Sequence, residues 1–422
     1  MSSKDNGPNI SNIKNSDPNM REDRKLANII KDTHAKLREQ IQAIDNKLCP
    51  NKSEIEDNLW IAHADARMFS TSRENTSSDG SIEVGYSEAM EKLADKHWCD
   101  NIGKRKNEIE KSSRIEWLKK HVNNYRFRDR HKFQKRLIKR KYYESIAMNE
   151  CSIDSYLEVD LNKQEPANEN YEILDVGSCY NPLLNQFSSK DVKVTAVDLC
   201  PSSKSVFKCD FLRVPIVDID EAVVIKSKKE TVSNADSYQE VECLKENGFD
   251  VVIFCLLLEY LPSSRLRYKA CQKAKTLLKT DGLLLIVTPD SSRNHAKNER
   301  QMKSWRLAFS KLGMLRIYIE NQKHLRFLGF VKVDHDKFGN ICDEESEKIK
   351  NAMSNISDNA KIGDLSQESF SDEDLMFIPQ DKTTRELLKK QAQIIKPQND
   401  TTTSDFSKLE HTFLEFSEDF SM

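Results

Sequence analysis

Ile173-Leu174-Asp175-Val176-Gly177-Ser178-Cys179-Tyr180-Asn181-Pro182 stands near the middle of this 422-residue sequence and carries its clearest structural signal. The segment begins as a short apolar run, the pattern of a buried strand, and a glycine follows at once. Glycine lets the backbone turn sharply and approach a ligand without a clashing Cβ. The segment predicts a strand, a tight turn and a helix N-terminus with free N–H groups, the first unit of a doubly wound α/β sheet.

The turn is formed by positions 177, 179 and 181, of which only the first is glycine. Enzymes that bind S-adenosylmethionine (SAM) usually have glycine at all three, in the pattern D/E-x-G-x-G-x-G. Asn181 is an acceptable substitute because asparagine tolerates left-handed backbone conformations. Cys179 has no such tolerance, so the sequence leaves open how tight this turn is.

Two acidic residues follow at informative distances. Asp198 ends the next apolar run, 21 residues after Gly177, and Asp210 comes twelve residues later, followed by Phe211. A carboxylate at the end of a second strand can accept hydrogen bonds from both hydroxyls of a ribose. Asp210 is predicted to accept from the adenine N6 amino group while Phe211 packs on the ring. A turn or helix cap is the alternative role for each acid taken singly, but the combined spacing favours a nucleoside site.

Short apolar runs alternate with helical segments beyond Tyr171, a pattern typical of βαβ units. The predicted strands are Ile173–Val176, Val192–Val197, Asp250–Leu256, Leu283–Thr288 and a closing pair near Met314–Ile319 and Arg326–Val333. Residues 222–248 are polar and are interpreted as an insertion. The N/D-P-P-Y/F loop of many amino-group methyltransferases is absent. Asp290, after the fifth strand, is expected to cap a helix, with an acid–base role as the alternative.

Composition divides the chain into four parts. Residues 1–20 are rich in Asn, Ser and Asp and are predicted to be disordered. Residues 21–150 form a helical N-terminal region, beginning with apolar residues at helical spacing that pack on the protein itself or, alternatively, on a partner. Residues 170–333 form the Rossmann-like domain. Residues 334–422 are acidic and rich in Ser and Asn, and are predicted to be a disordered tail with one apolar patch at Leu409–Phe416.

Several classes of protein are excluded by simple features. The first 20 residues contain no signal peptide, and the longest apolar run, Val251–Leu258, is too short to span a bilayer. The ten cysteines include no C-x-x-C pair, which favours reduced, mostly buried thiols over a metal site or disulfides. We therefore expect a cytoplasmic protein, with the nucleus as the alternative, and neither a membrane nor a DNA partner.

Charge is unevenly distributed although the net charge is only −2. Residues 101–141 contain 16 Lys and Arg against 4 Asp and Glu, whereas residues 341–422 contain 9 against 18. This asymmetry predicts separate basic and acidic surfaces. Within the stretch Tyr125–Tyr143, basic residues are interleaved with aromatic ones, a composition that can bind RNA. A solvated helix face is the alternative, and no RNA-binding signature accompanies the charge.

Several segments together resemble the SAMTOR family, SAM sensors upstream of the TOR kinase complex. The resemblance is carried by Ile173–Pro182, Val206–Leu212, Phe254–Pro262, Gly282–Ser292, Met302–Trp305, Ala94–Trp98 and Arg114–Trp117. It covers about residues 85–335 and, more weakly, the 24–48 helix, whereas the termini and residues 103–112 and 222–248 lie outside it. The family is related to fungal large-subunit rRNA adenine-N1 methyltransferases. The resemblance implies a class I SAM-dependent methyltransferase fold.

The resemblance also implies a set of binding residues and partners. The SAM pocket would comprise Arg114, Gly177, Asp198, Asp210, Phe211 and Cys255. Arg114 would bind the methionine carboxylate, since a guanidinium suits that group. The implied partners are the GATOR and KICSTOR regulatory complexes, which the SAM-free form would bind to restrain TOR signalling. No catalytic residue and no metal ligand is assigned.

Three functional hypotheses remain open at this point. The chain is a SAM sensor, a SAM-dependent methyltransferase acting on RNA such as rRNA adenine, or a scaffold with a vestigial pocket. The absent N/D-P-P-Y/F loop and the lack of an evident acceptor-site base favour the sensor. Transfer of a methyl group from a sulfonium needs little beyond correct positioning, however, so catalysis is not excluded.

Overall fold

The computed structural model describes residues 18–45, 51–69, 86–93, 114–147, 170–187, 190–225, 238–290, 295–322, 325–359 and 371–378, with Asp381. Predictions for residues 1–17, the loop at 70–83, the segment Ala94–Trp98 and the patch Leu409–Phe416 lie outside these residues. Among the described helices, the N-terminal ones are α1 (Pro18–Asp45), α2 (Lys52–Phe69), α3 (Tyr86–Leu93), α4 (Arg114–Asn124) and α5 (Arg130–Ala147). A π-helical turn, Tyr125–Asp129, joins α4 to α5.

The strands and the later helices follow these N-terminal helices. The strands are β1 (Tyr171–Val176), β2 (Val192–Asp198), β3 (Phe207–Lys208), β4 (Ile216–Val217), β5 (Val223–Ile225), β6 (Val241–Lys245), β7 (Phe249–Cys255), β8 (Leu278–Pro289), β9 (Met314–Gln322) and β10 (Leu325–Lys332). The helices are α6 (Ser264–Leu277), α7 (His295–Lys311) and α8 (His335–Asn359). The six predicted strands are all present, because each is an apolar run between turn signals.

Seven strands form one sheet in the order β3-β2-β1-β7-β8-β10-β9. The strands from β3 to β8 pair in parallel, and β10 is antiparallel to both of its neighbours. This is the sheet order of class I SAM-dependent methyltransferases, so the predicted fold class is confirmed. The order reverses between β1 and β7, and ligands of open α/β sheets bind at such a switch point, beyond the carboxyl ends of the strands.

Helices cover both faces of the sheet. On one face, α6 and α7 pack with Leu37 of α1 and Trp60 of α2 on a large apolar cluster. On the other face, Trp117 of α4 and Phe133 of α5 pack with residues of β1 and β7. The apolar spacing predicted for α1 is therefore explained by packing within the chain, since Leu26, Ile30, Leu37 and Ile41 are all buried. These contacts fix α1 and α2 beside the carboxyl ends of the central strands.

The acidic tail is more ordered than its composition predicts. The prediction of disorder from residue 334 is wrong for residues 335–359, which form α8 and bury Ile341, Cys342 and Ile349. Asp343 and Glu347 of this helix are exposed, so a high charge content conceals a narrow apolar stripe. Further along, residues 372–376 form a 3₁₀ turn that packs on α6 and α7.

The polar insertion at 222–248 also contains regular structure at its ends. β5 and β6 pair antiparallel, and β4 joins β6 in parallel, giving a second sheet of three short strands. Residues 226–237 lie outside the described part. Within the described residues, no helix is both long and apolar enough to cross a bilayer, and no group of three or more His, Cys, Asp or Glu side chains is arranged to bind a metal ion.

Candidate functional site

An open cleft lies at the switch point of the large sheet. It contains about 830 Å³ of space free of protein atoms, including the part open to solvent, and is lined by the ends of β1, β2 and β7 on one side. The opposite wall is formed by side chains of the N-terminal helices, among them His34, Trp60 and Tyr86. The helical region and the α/β domain thus share one cleft.

The turn after β1 adopts a glycine-like conformation, which answers the question of how tight it is. The φ angles are 75° at Gly177, 54° at Cys179 and 58° at Asn181, so all three positions are left-handed. The Cys179 amide donates to Oδ2 of Asp198 at 2.9 Å, and the Asn181 side chain donates to the Ser205 carbonyl at 3.1 Å. These hydrogen bonds offset the strain of two non-glycine residues in this region. The turn is tight despite its two missing glycines.

Asp198 is held rigidly at the end of β2. Its Oδ2 accepts from the Cys179 amide, and its Oδ1 accepts from the Cys200 amide at 2.7 Å. Burial raises the pKa of the carboxyl group, while the two amides and the charge of Arg67 oppose that rise. Each carboxylate oxygen accepts one backbone hydrogen bond and keeps a lone pair for another donor. The geometry leaves Asp198 able to accept from two adjacent hydroxyls.

Asp210 and Phe211 line the same cleft as Asp198. The Trp60 indole N–H lies 3.2 Å from Oδ2 and 3.3 Å from Oδ1 of Asp210, and the Leu212 amide donates to Oδ1 at 3.1 Å. Burial raises the pKa of this carboxyl group, and the hydrogen bond from Trp60 opposes the rise. The Phe211 ring packs edge-on against Phe254, with centroids 5.7 Å apart. Trp60 of α2 therefore contacts Asp210, the residue predicted to bind adenine.

Arg114 and Cys255 are near this cleft but are not among the residues that line it. Arg114 begins α4, where it hydrogen-bonds Tyr180 and lies close enough to Cys255, Glu259 and Tyr260 to influence their pKa values. Burial raises the pKa of the Cys255 thiol to about 12. Burial likewise raises the pKa of Glu259 to about 8. The sequence-predicted residues thus form two groups, four in the cleft and two at its edge.

A polar cluster links the three N-terminal helices to the cleft. His34 of α1 contacts the Tyr86 hydroxyl of α3 at 2.9 Å, and Arg67 of α2 lies 3.3 Å from the His34 ring. The Arg67 guanidinium also stacks over the Tyr86 ring at 4.1 Å, and the rings of His34 and Tyr260 are 4.6 Å apart. Burial holds the pKa of His34 well below its usual value, with the Arg67 charge adding to the effect. His34 is therefore neutral at physiological pH.

Sequence reasoning missed the cleft residues of α1, α2 and α3. A usable signal was present, because His34 falls within the apolar stripe formed by Leu26, Ile30, Leu37 and Ile41. A polar side chain on the buried face of an amphipathic helix must find a partner inside the protein. Arg67 occupies the equivalent position on α2 and is also buried.

Two further sequence predictions concern Asp290 and the basic stretch 125–143. Asp290 accepts a hydrogen bond from Arg326 Nη2 at 2.8 Å. Its predicted helix cap concerns residues 291–294, which lie outside the described part. In the basic stretch 125–143, Phe133 and Leu137 are buried, whereas Phe127 and Tyr143 are exposed. The apolar side of this stretch therefore packs on the sheet, as expected for a solvated helix face.

Comparison with known proteins finds one matching family model and several similar solved structures. A family model described as a methyltransferase domain matches residues 139–326. The structure of a putative methyltransferase in complex with the Haloferax volcanii Trm112 activator matches 40% of this chain and 85% of that chain, at 12% identity and a TM-score of 0.27. That of Burkholderia thailandensis 1,6-didemethyltoxoflavin-N1-methyltransferase with S-adenosylhomocysteine matches 39% and 72%, at 13% identity and a TM-score of 0.25. Likeness this low says nothing about what the present chain binds.

Sequence relatives are more informative because they extend over both the helical region and the sheet. A Danio rerio protein named S-adenosylmethionine sensor upstream of mTORC1 is 29% identical over 318 residues, covering 74% of this chain and 71% of that protein. A Xenopus laevis protein of the same name is 30% identical over 325 residues, covering 74% and 70%. The chain therefore belongs to the family of S-adenosylmethionine sensors upstream of mTORC1.

Proposed function

We propose that this protein binds SAM in the cleft and acts as a SAM sensor upstream of the TOR complex. The observation that carries the proposal is the convergence of Asp198 and Asp210 on one cleft beside the turn at Gly177. The ribose hydroxyls would donate to Asp198, and the adenine amino group would donate to Asp210 with the ring on Phe211. The relatives' names supply the ligand, and the residues present fit it.

Two features of the cleft suit the adenosyl group of SAM. Both oxygens of Asp198 keep a lone pair after accepting from backbone amides, as a ribose diol requires. At Gly177 a Cβ would lie 2.9 Å from Leu257 Cδ1, so only glycine keeps the floor of the cleft open without moving that side chain. These features favour a nucleoside over a purely apolar ligand.

The methionine end of SAM would lie near Arg114. With a pKa of about 8, Glu259 is mostly protonated at neutral pH, so it does not neutralise Arg114. Arg114 therefore keeps its charge available for the ligand carboxylate. We include Cys255 in the proposed pocket only as a neighbour of Arg114, since its protonated thiol is a weak hydrogen-bond donor.

Sensing requires that the ligand binds one arrangement of the protein more tightly than another. In this cleft SAM would touch the sheet through Asp198 and the helical region through the wall formed by His34, Trp60 and Tyr86. Binding would hold the helices against the α/β domain. We propose that this form releases the GATOR and KICSTOR complexes, and that the SAM-free form binds them in the cytoplasm and restrains TOR signalling.

A retention assay tests the sensor proposal. Immobilised full-length protein should retain GATOR and KICSTOR without SAM and lose most of both when SAM is added. Asp198→Ala should retain them at every SAM concentration, because the variant cannot bind the ligand. Asp220→Ala, a change of the same kind at an exposed position, is the matched control and should respond as the wild type does. Equal SAM sensitivity of both variants would refute the assigned pocket.

The second candidate is a SAM-dependent methyltransferase acting on RNA. The match of residues 139–326 to a methyltransferase domain favours it. Incubation of the purified protein with radiolabelled SAM and total RNA distinguishes the candidates. Methyl incorporation that disappears in Asp198→Ala would support the enzyme, whereas no incorporation by a protein that binds SAM supports the sensor.

A further inference from the structure

A groove with basic side chains lies between α5 and the edge strand β9, on the other face of the sheet from the helices that wall the cleft. It contains about 410 Å³ of space free of protein atoms, including the part open to solvent, and is lined by Asp129, Lys132, Phe133, Arg136, Ile317 and Tyr318. We call this surface the α5 groove. Its lining combines apolar groups with two cations, a mixture that suits an acidic amphipathic segment better than an uncharged one.

The charges around the α5 groove favour an anionic occupant. Asp129, its one acid, receives hydrogen bonds from Arg128 Nε at 2.8 Å and from the Tyr318 hydroxyl at 2.7 Å. The negative charge of Asp129 is therefore compensated locally. Lys132 and Arg136 lie one turn apart on α5, and the exposed Lys139 continues the same basic side of the helix. The surface presents a row of positive charge beside an apolar floor.

The C-terminal segment of this chain has the complementary pattern. Between residues 405 and 420, apolar side chains recur at alternating intervals of three and four residues: Phe406, Leu409, Phe413, Phe416 and Phe420. That spacing places all five on one stripe of a helix. The other positions include five acids against one lysine. A helix with this sequence would be apolar on one side and negatively charged around it.

We propose that residues 405–420 dock on the α5 groove of the same molecule, as an amphipathic helix. Phenylalanine side chains would enter the apolar floor, and the flanking acids would face Lys132 and Arg136. The inference is independent of SAM binding, because the α5 groove and the cleft have no lining residue in common.

The connecting chain is long enough for this contact. Asp381 is the last residue that the structure describes, and 23 residues separate it from residue 405. Extended, a segment of this length spans on the order of 75 Å, which exceeds the diameter of a domain of this size. Tethering also raises the effective concentration of the segment at the groove to about the millimolar range, so even weak docking would persist within one molecule.

Hydrogen exchange measured by mass spectrometry tests the proposal on the intact chain. Peptides covering residues 129–139 and 315–319 should exchange more slowly in the full-length protein than in a truncation that lacks residues 405–422. A synthetic peptide of residues 405–420 added to the truncated protein should restore the protection. The peptide with Phe413→Ser and Phe416→Ser should not, because the apolar stripe is lost.

Charge variants provide the matched control. Lys132→Glu with Arg136→Glu should weaken binding of the labelled peptide to the truncated protein by roughly tenfold or more. Lys350→Glu, an equivalent change on the exposed side of α8, should leave the affinity within about twofold. Equal exchange in the full-length and truncated proteins would overturn the proposal. So would protection that appears only in a dimer at high concentration, or only when RNA is added.

Discussion

Gly177 and Gly313 share the same φ of 75° but differ in what surrounds them. A Cβ at Gly177 would lie 2.9 Å from the end of the Leu257 side chain, whereas nothing lies within 4 Å of a Cβ at Gly313. Alanine at either position should cost about 1 kcal/mol of folding free energy, because both must keep a left-handed backbone. Only Gly177→Ala should also weaken SAM binding, since Leu257 must move within the cleft.

Denaturant unfolding and calorimetric titration of the two variants check this prediction. Equal losses of stability with unequal losses of affinity are expected. If Gly313→Ala weakens SAM binding as much as Gly177→Ala does, the effect comes from general destabilisation and not from the floor of the cleft.

Glu259 makes stability depend on pH in a defined direction. Burial raises its pKa from 4.5 to about 8, although the charges of Arg114, Arg267 and Arg38 oppose the rise. Between these values the folded state holds a proton that the unfolded state has released, so stability falls as pH rises from about 4.5 to about 8. Glu259→Gln should remove this contribution and flatten the decline by about 1 kcal/mol or more.

Melting curves of wild type and Glu259→Gln between pH 5 and pH 8.5 measure the effect. The two proteins should be most alike at pH 5, and the variant should be the more stable at pH 8.5. Parallel curves over this range would show that Glu259 ionises in the folded protein as it does in water.

Individual site residues were predictable from sequence only where a strand carries them. Asp198 and Asp210 follow strand ends at fixed spacings, and parallel strands bring such ends to one edge of a sheet. Trp60 was not predictable, because its hydrogen bond to Asp210 joins residues 150 positions apart. That contact depends on how α2 packs on the sheet, which no local pattern specifies.

At the level of elements, the apolar runs were sufficient to predict six strands of the large sheet, but not β3, which is only two residues long. Composition was a poorer guide to the C-terminal part. The prediction of a disordered tail failed at α8 because a few buried side chains, such as Ile341 and Ile349, hold a helix that is otherwise charged. The average composition of the tail hides a buried apolar stripe of this kind, whereas the helical spacing of the apolar residues reveals the stripe.

Residues 371–378, together with Asp381, form a second ordered element within the acidic tail. Met376 and Ile378 are buried, and the Trp305 indole donates to the Phe377 carbonyl at 2.9 Å. The fully buried Arg267 binds Asp381 and donates to the Met376 carbonyl at 2.6 Å. Arg267 also donates to the Leu261 carbonyl at 2.8 Å, which connects the segment to the wall of the cleft.

Truncations on either side of this segment should differ sharply. Removal of residues 382–422 should lower the free energy of unfolding by no more than about 2 kcal/mol, because the described core remains intact and only the proposed docking of residues 405–420 is lost. Removal of residues 371–422 should cost roughly 5 kcal/mol or more, since it removes two core side chains, Met376 and Ile378, and leaves Arg267 without its acid. Urea denaturation compares the two proteins. Similar midpoints would mean that the segment contributes little to the core.

For the whole molecule, the central feature is one cleft with two kinds of wall. The α/β domain supplies acids on rigid strand ends, and the N-terminal helices supply aromatic and cationic side chains. A ligand that contacts both walls stabilises the conformation in which the two walls are close together. The size of this effect is set by how much more tightly the ligand binds that conformation than one in which the walls are apart. This coupling requires no chemical step, which is consistent with a sensor built on a methyltransferase fold.

Calorimetric titration with SAM and with 5′-methylthioadenosine, which lacks the methionine carboxylate, tests the proposed site most directly. The wild type should bind both ligands. Asp198→Ala should weaken both by roughly a hundredfold, because hydrogen bonds from the ribose to a charged group are lost. Arg114→Ala should weaken SAM by a similar factor and leave 5′-methylthioadenosine unchanged. Wild-type affinity for SAM in the Asp198→Ala protein would contradict the account.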